Sequence, residues 1–174
     1  MRTQTALSRA IRDIPDFPKK GIIFKDITTL LQNPKMFQKA VNAIAQKYRR
    51  TKIDSIVCVE ARGFIFGAIL AYVLNAGLVL VRKKDKLPYK TFRVTYALEY
   101  GKDTLEIHRD AIKKKGKVLI VDDLLATGGT IAAVCRLLKK FSAKVVGIAF
   151  LIELKFLNGR SRLKGYPVSS VIKY

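Results

Sequence analysis

The residues best suited to chemistry lie in positions 118–130, where the chain reads VLIVDDLLATGGT. Four apolar residues lead directly into the adjacent carboxylates of Asp122 and Asp123, and a loop with Gly128 and Gly129 follows. Ligands of open α/β sheets bind at the carboxyl ends of the strands. Glycines allow backbone N–H groups to approach an anion closely, and the N-terminus of a helix favours negative charge. The stretch therefore predicts a phosphate-binding loop at the end of a buried strand.

The two carboxylates are best explained by a sugar attached to that phosphate. They would repel the phosphate if they pointed at it, but they can accept hydrogen bonds from ribose hydroxyls, while Thr127 and Thr130 can donate to the phosphate. We therefore interpret the stretch as a ribose 5-phosphate site. A metal site is a weaker alternative, because adjacent strand residues point in opposite directions. The remaining alternative is an aspartate cap followed by an ordinary glycine turn. Neither a P-loop nor a Gly-x-Gly-x-x-Gly motif occurs in the sequence.

Further apolar runs indicate the elements that position this site. The runs are continuous and rich in valine and isoleucine, which is typical of strands covered on both faces of a parallel sheet. They lie at 55–59, 78–81, 118–121 and 145–152. Helical patterns at 64–74 and 131–141 alternate with them. This order predicts an α/β fold: one domain with a central, mostly parallel sheet flanked by helices.

The remaining segments predict peripheral elements. A short amphipathic helix is expected over 3–12, and Asn33 followed by Pro34 is a helix-start signal for a helix that runs to about Arg50. Segments 94–100 and 104–110 alternate apolar and polar residues, which predicts an exposed antiparallel hairpin. We expect His108 and Glu106 on its outward side, so that His108 is a surface residue.

Composition limits the class of protein. At 174 residues, with 49% hydrophobic and 27% charged residues, the chain is expected to be one soluble globular domain covering residues 1–174. No apolar run reaches the ~18 residues of a membrane span. The first residues lack the apolar core of a secretory signal. Cys58 and Cys135 have no metal-type spacing, which favours two buried thiols in a reducing compartment and a cytoplasmic location.

The formal net charge of +21 raises the question of a polyanionic partner. The basic residues are scattered along the chain, and no zinc finger, basic zipper or cluster of RNA-stacking aromatics accompanies them. A surface biased towards lysine is therefore the preferred explanation, and we do not expect specific binding of nucleic acid.

The stretch at 118–130 resembles the phosphoribosyl-diphosphate signature of the type I phosphoribosyltransferases. Three other segments resemble the members of that family that use adenine: DFPKKGIIFKDIT at 16–28, VEARGFIFG at 59–67, and residues 81–112, from VRKKDKLPYKT to HRDAI. The resemblance extends from about Ile11 to Ile152 in the family's order. It implies the type I phosphoribosyltransferase fold and transfer of phosphoribosyl from 5-phosphoribosyl 1-diphosphate to N9 of adenine, giving AMP and diphosphate. It also implies Mg²⁺, bound through the substrate and water without direct protein ligands, and a homodimer.

The resemblance also implies roles for individual residues. Asp122 and Asp123 would bind the ribose hydroxyls. The residues that would hold the 5-phosphate are Ala126, Thr127, Gly128, Gly129 and Thr130. The residues that would meet the diphosphate are Ala61, Arg62 and Gly63, together with Arg82 and Lys86, which could act across a dimer interface. Arg62 is expected to take part in catalysis, because a guanidinium matches phosphate oxygens.

The base and the proton step are assigned by the same resemblance. Residues 82–110 would form a mobile hood, in which Tyr100 lies over the reaction site and Glu99 accepts the proton of adenine or steers its tautomer. Ile23, Phe24 and Lys25 would form the purine pocket, with Phe24 stacking and backbone groups reading the base edge.

One difference from the family pattern leaves the identity of the purine substrate open. Lys25 stands where relatives commonly have arginine, so base preference depends on whether the side chain or the backbone reads the base. A phosphoribosyltransferase for another purine is one alternative. The other is a non-catalytic regulator on the same fold that binds phosphoribosyl diphosphate and nucleic acid.

Overall fold

A computed structural model describes residues 2–97 and 101–174 of the chain. Within this part, two short strands, β1 (Arg12–Ile14) and β2 (Phe24–Asp26), pair antiparallel. The other strands form one sheet. They are β3 (Ser55–Val59), β4 (Gly77–Lys83), β5 (Thr91–Ala97), β6 (Lys102–His108), β7 (Lys117–Leu125), β8 (Lys144–Glu153) and β9 (Val168–Lys173).

The described part of this sheet has seven strands in the order β5-β6-β4-β3-β7-β8-β9. Strands β4, β3, β7, β8 and β9 run parallel to one another, whereas β6 is antiparallel to both β4 and β5. The predicted α/β fold with a mostly parallel sheet is therefore confirmed.

The helices lie on both faces of the sheet. They are α1 (Arg2–Arg9), α2 (Thr28–Gln32), α3 (Pro34–Tyr48), α4 (Arg62–Val73) and α5 (Gly129–Lys139), followed by 3₁₀ helices at Lys155–Leu157 and Gly159–Leu163. Strand β7 shows why the sheet needs two layers of helices. Its Val118 and Ile120 pack in the core that includes α5, and Leu119 and Val121 pack in the core that includes α3 and α4. Alternate residues of one strand thus bury opposite faces, which explains its continuous apolar sequence.

Helix α3 begins and ends as its sequence predicts. Asn33 caps it by accepting a hydrogen bond from the N–H of Met36 at 3.1 Å, and Pro34 occupies the first turn, where its missing N–H has no cost. Its buried side includes Ile44 and Tyr48. The cap therefore fixes where the chain enters the layer that supports β3 and β7.

Strand β4 departs from the prediction that both faces are covered. Val79 and Val81 are buried, but Leu78 is 43% and Leu80 is 37% exposed. Tyr72 near the end of α4 is 88% exposed. In the described part of the chain, the face of the sheet beyond α4 is thus left open and apolar.

The hairpin of β5 and β6 is antiparallel as predicted, and β5 is the edge strand of the sheet, but the side chains of β6 are more deeply buried than an exposed hairpin implies. Strand β6 pairs with β4 and extends the main sheet, and Leu105 and Ile107 are buried in the core that includes α5. Glu106 was expected outward and is fully buried, with Arg93 Nε 2.7 Å from its carboxylate. His108 is half-buried with its ring edge against Tyr89. The alternation predicts the side of β6 correctly, but the expected exposure is wrong for Glu106 and only partly met by His108, because alternation alone does not show what covers a strand.

Among residues 2–97 and 101–174, no helix combines the length and apolar character needed to cross a bilayer.

Candidate active site

The two carboxylates lie within the last residues of β7, which continues to Leu125. Asp123 is almost fully buried, and the N–H of Asp123 donates to Asp122 Oδ1 at 2.9 Å. Asp122 faces the start of α4, where a Cβ added to Gly63 would lie 2.8 Å from Asp122 Oδ1. Gly63 is therefore needed for α4 to begin this close to the carboxylates.

Arg62 joins three parts of the predicted site. Its Nε lies 2.8 Å from Asp123 Oδ2, and its guanidinium carbon lies 5.3 Å from the ring centre of Phe24. The N–H does not point at the carboxylate closely enough for a hydrogen bond, so Asp123 Oδ2 keeps an unused acceptor position. The structure thus brings together residues that the sequence assigned to the diphosphate, the ribose and the base.

Burial disfavours the charged forms of the two aspartates. Desolvation is the main cause that raises the pKa of Asp122 well above its ordinary value, and the neighbouring charge of Asp123 adds to it. Desolvation also raises the pKa of Asp123, while the charge of Arg62 opposes that shift. Two adjacent carboxylates are thus held at a cost in stability, which is typical of functional sites.

The predicted phosphate loop leads from β7 into α5. Gly128 caps α5 in the left-handed conformation, with φ of 81°, and a side chain there would overlap the carbonyl oxygen of Gly159. The first N–H groups of a helix have no partner within the helix, so they are available to an anion. The Thr130 hydroxyl lies 3.4 Å from the Tyr96 hydroxyl. This geometry suits a bound phosphate at residues 126–130.

The predicted diphosphate residues meet at the turn from β3 to α4. Ala61 is the N-cap of α4, and the peptide bond before it is cis. Arg82 donates to Glu60 at 2.7 Å and to the carbonyl of Lys86 at 3.3 Å. Both basic residues therefore lie next to this turn, but the charge of Arg82 is already paired.

Glu60 was missed by the sequence reasoning, although an acid directly before the predicted diphosphate arginine was a visible signal. It accepts hydrogen bonds from Arg82 and from the N–H of Lys83. Burial raises its pKa, but these two hydrogen bonds and the charges of Arg82 and Lys86 together outweigh burial and lower the pKa below the ordinary value. Glu60 is thus ionised and fixes Arg82 beside the turn.

The predicted base residues divide between the two sides of β2. Phe24 faces Arg62, and its ring packs edge-on against Phe17 at 5.2 Å. Ile23 and Lys25 line a cavity of about 410 Å³ on the other side. The cavity is also lined by Gly21 and Ile22, which belong to the segment that resembles the family, and by residues that the sequence reasoning missed: Leu154, Phe156, Leu157 and Tyr174.

The Lys25 side chain is occupied within this cavity. Its ammonium lies 2.7 Å from Asp13 Oδ1 and 3.9 Å from the ring centre of Tyr174. The side chain that departs from the family pattern is therefore directed away from Arg62 and Asp123. Glu99 and Tyr100 lie outside the described residues, so their roles stay predictions.

Comparison with known proteins agrees with this geometry. The family model described as phosphoribosyl transferase domain matches residues 26–170. The chain therefore belongs to the phosphoribosyltransferase family. It is 61% identical to the adenine phosphoribosyltransferase of Syntrophotalea carbinolica over 97% of this chain and 98% of that one.

Solved structures of adenine phosphoribosyltransferases are also similar to this chain. The adenine phosphoribosyltransferase of Thermoanaerobacter pseudethanolicus superposes with a TM-score of 0.95 at 51% identity, covering 98% of this chain and 99% of that one. The Saccharomyces cerevisiae enzyme, solved with adenine and D-2,5-dideoxy-2,5-imino-altritol 1,6-bisphosphate, superposes at 0.92 with 41% identity, covering 98% of each chain. Within the family, the chain groups with the adenine phosphoribosyltransferases.

The raised pKa of Asp122 predicts a gain in stability when its charge is removed. Above pH ~4 an unfolded aspartate ionises freely, whereas folded Asp122 resists ionisation, so its contribution disfavours folding as the pH rises towards the folded pKa. We expect Asp122→Asn to unfold at higher urea concentration than the natural protein at pH 8, with a difference that shrinks towards pH 4.

Asp123→Asn is the matched control for this experiment. Its carboxylate also pairs with Arg62, so its removal should give a smaller gain than the removal of the Asp122 carboxylate. An Asp122→Asn variant that is less stable than the natural protein at pH 8 would contradict the prediction.

Proposed function

We propose that the chain transfers the 5-phosphoribosyl group from 5-phosphoribosyl 1-diphosphate to N9 of adenine, forming AMP and diphosphate. The observation that carries the proposal is the meeting of Arg62, Asp123 and Phe24 beside the glycine loop that caps α5. The choice of adenine as the base is supported by the relatives named above, which are adenine phosphoribosyltransferases.

In this proposal the sugar phosphate binds along the end of β7. Residues Ala126, Thr127, Gly128, Gly129 and Thr130 would bind the 5-phosphate through the loop N–H groups and the two hydroxyls. Asp122 and Asp123 would accept hydrogen bonds from the ribose hydroxyls. The unused acceptor position of Asp123 Oδ2 supports that assignment.

The diphosphate would leave from the side of α4. As the C1′–O bond breaks, positive charge grows on the ribose and negative charge on the diphosphate. Arg62 would turn from Asp123 to the departing oxygens, with Ala61 and Gly63 offering backbone at the same turn. Arg82 and Lys86 would add positive charge beside the departing diphosphate.

Magnesium is proposed to bind through the substrate. Among the described residues, no three metal-ligating side chains converge, so the oxygens that Mg²⁺ prefers would come mainly from the diphosphate, the ribose and water. Bound in this way, Mg²⁺ would neutralise charge on the leaving group.

Adenine is proposed to lie on the side of β2 that faces Arg62, against the ring of Phe24. Phe24 would stack on the base, and backbone groups of Ile23 and Lys25 would read its edge. Because the Lys25 ammonium is paired with Asp13, its difference from arginine is not expected to alter base preference. N9 would form the new bond to C1′, and Glu99, next to Tyr100, is the proposed acceptor of the N9 proton.

We further propose a homodimer formed through the open face of β4. Leu78, Leu80 and Tyr72 make this face apolar. A second copy would cover these apolar side chains.

The two buried free thiols, Cys58 and Cys135, support a reducing, cytoplasmic setting.

The activity is tested by supplying phosphoribosyl diphosphate and Mg²⁺ with each purine base separately and measuring nucleotide formation. We expect AMP from adenine and no nucleotide from hypoxanthine or guanine. Arg62→Gln should lower kcat/KM by about 100-fold or more, because it removes charge that stabilises the departing diphosphate.

Arg50→Gln is the control, because Arg50 is exposed between α3 and the start of β3, at the opposite end of the parallel strands from the site, and its loss should leave kcat/KM nearly unchanged. If Arg62→Gln keeps activity within about threefold of the natural protein, its proposed role is wrong. Conversion of another base would overturn the choice of adenine.

The dimer is tested by Leu80→Glu. A carboxylate at the centre of the apolar face should prevent association, because its desolvation would not be compensated. Sedimentation equilibrium should give the mass of two chains for the natural protein and of one chain for the variant. Gln46→Glu on the exposed side of α3 adds the same charge and should remain dimeric. A dimeric Leu80→Glu variant would place the interface elsewhere.

A further inference from the structure

The second 3₁₀ helix supports the phosphate loop from behind. Its first residue, Gly159, lies so close to the loop that a Cβ on Gly159 would overlap the carbonyl oxygen of Ala126, and a Cβ on Gly128 would overlap the carbonyl oxygen of Gly159. The backbones are thus in direct contact on both sides of the loop turn. With no side chain between them, a displacement of Gly159 is passed directly to the loop.

The next residue, Arg160, fixes the position of this helix. Its guanidinium donates twice to Glu153, at 2.6 and 2.7 Å, and once to the carbonyl of Val168 at 3.1 Å. The Ser170 hydroxyl bonds to Glu153 and lies 3.3 Å from the same guanidinium. One side chain therefore joins the 3₁₀ helix to the end of β8 and the start of β9.

The ion pair between Arg160 and Glu153 stays ionised at neutral pH. Glu153 is almost fully buried, and its carboxylate matches the planar fork of the guanidinium. The hydrogen bonds from Arg160 are the main cause that lowers the pKa of Glu153 to about 2. The pair thus remains charged throughout the neutral range.

We propose that Arg160 is a positioning residue for binding of the 5-phosphate: through Gly159 it sets the position of the loop at residues 126–130. This role rests on the proposed function, in which that loop holds the phosphate. Arg160 touches no substrate in this account, and it acts only through the backbone contact between Gly159 and the loop.

The proposed base site depends on Arg160 much less. Phe24, on which the base would stack, is held by the antiparallel pairing of β2 with β1, and its ring packs on Phe17 at 5.2 Å. Neither of these contacts involves the second 3₁₀ helix. Loss of Arg160 should therefore affect recognition of the phosphate and spare recognition of the base and sugar.

The test compares the affinities of AMP and adenosine, which differ only by the phosphate. In Arg160→Gln we expect AMP to bind between about 10-fold and 100-fold more weakly, as a displaced binding group should cause, with adenosine affinity unchanged. Arg160→Lys should be intermediate, because an ammonium keeps the charge and loses the bidentate geometry.

Arg162→Gln is the matched control. Arg162 is an exposed residue of the same 3₁₀ helix, and the substitution removes the same charge. The ratio of AMP to adenosine affinity should stay within about twofold of the natural value in this variant, since an exposed substitution changes little. A global loss of stability would alter the melting temperature but not that ratio.

An unchanged ratio in folded Arg160→Gln would overturn the role of Arg160 and leave the proposed function intact. If that variant does not fold, Ser170→Ala replaces it, with Ser169→Ala as control because the Ser169 hydroxyl contacts Tyr48 instead. The ratio should then fall in Ser170→Ala alone, and equal ratios in the two serine variants would overturn the role. Natural protein that binds AMP no more tightly than adenosine would overturn the proposed function as well.

Discussion

The site depends on two adjacent carboxylates at the end of one buried strand, with Asp123 buried and Asp122 half-buried. Desolvation raises the pKa of both Asp122 and Asp123, so their ionised forms need compensation from nearby. Arg62 supplies that compensation for Asp123, and it can do so only because α4 starts directly beside β7. Gly63 makes this approach possible, since any side chain there would meet Asp122. Charge, burial and the absence of a Cβ at Gly63 thus act together at the carboxyl end of β7.

The proposed phosphate loop is held in a different way, by backbone that packs directly on backbone. Gly128 and Gly159 face each other with no room for a side chain, and the Arg160 ion pair to Glu153 holds the second of them in place. In the proposed function, rigid support of this kind would keep the loop N–H donors directed at the phosphate before it binds, which would lower the cost of ordering on binding. The two halves of the site are therefore held by separate means, one by charge pairing and the other by close packing.

Local sequence predicted the elements of the fold, and it indicated the carboxylates and the glycine loop at the end of β7, because these signals are local, whereas the roles of Arg62 and Phe24 were assigned by the family resemblance. The valine-rich β7, the cap at Asn33 and the glycines after Asp123 each follow from short-range physics. Which faces of the sheet are covered by other elements does not follow from short-range physics. Leu78 and Leu80 look like core, and Glu106 looks like surface, because a strand pattern does not reveal which face a helix or arginine will cover. Long-range pairs such as Arg160 with Glu153 carry no motif, so only the folded chain shows them.

The most direct measurement is a crystal structure of the protein with AMP bound. The account predicts the 5-phosphate within hydrogen-bond distance of the N–H groups of residues 126–130 and the ribose hydroxyls on Asp122 and Asp123. It also predicts adenine against Phe24, with Gly159 still in contact with the loop. AMP bound with its phosphate elsewhere, or with its ribose away from both carboxylates, would contradict the central claim that the end of β7 is a ribose 5-phosphate site.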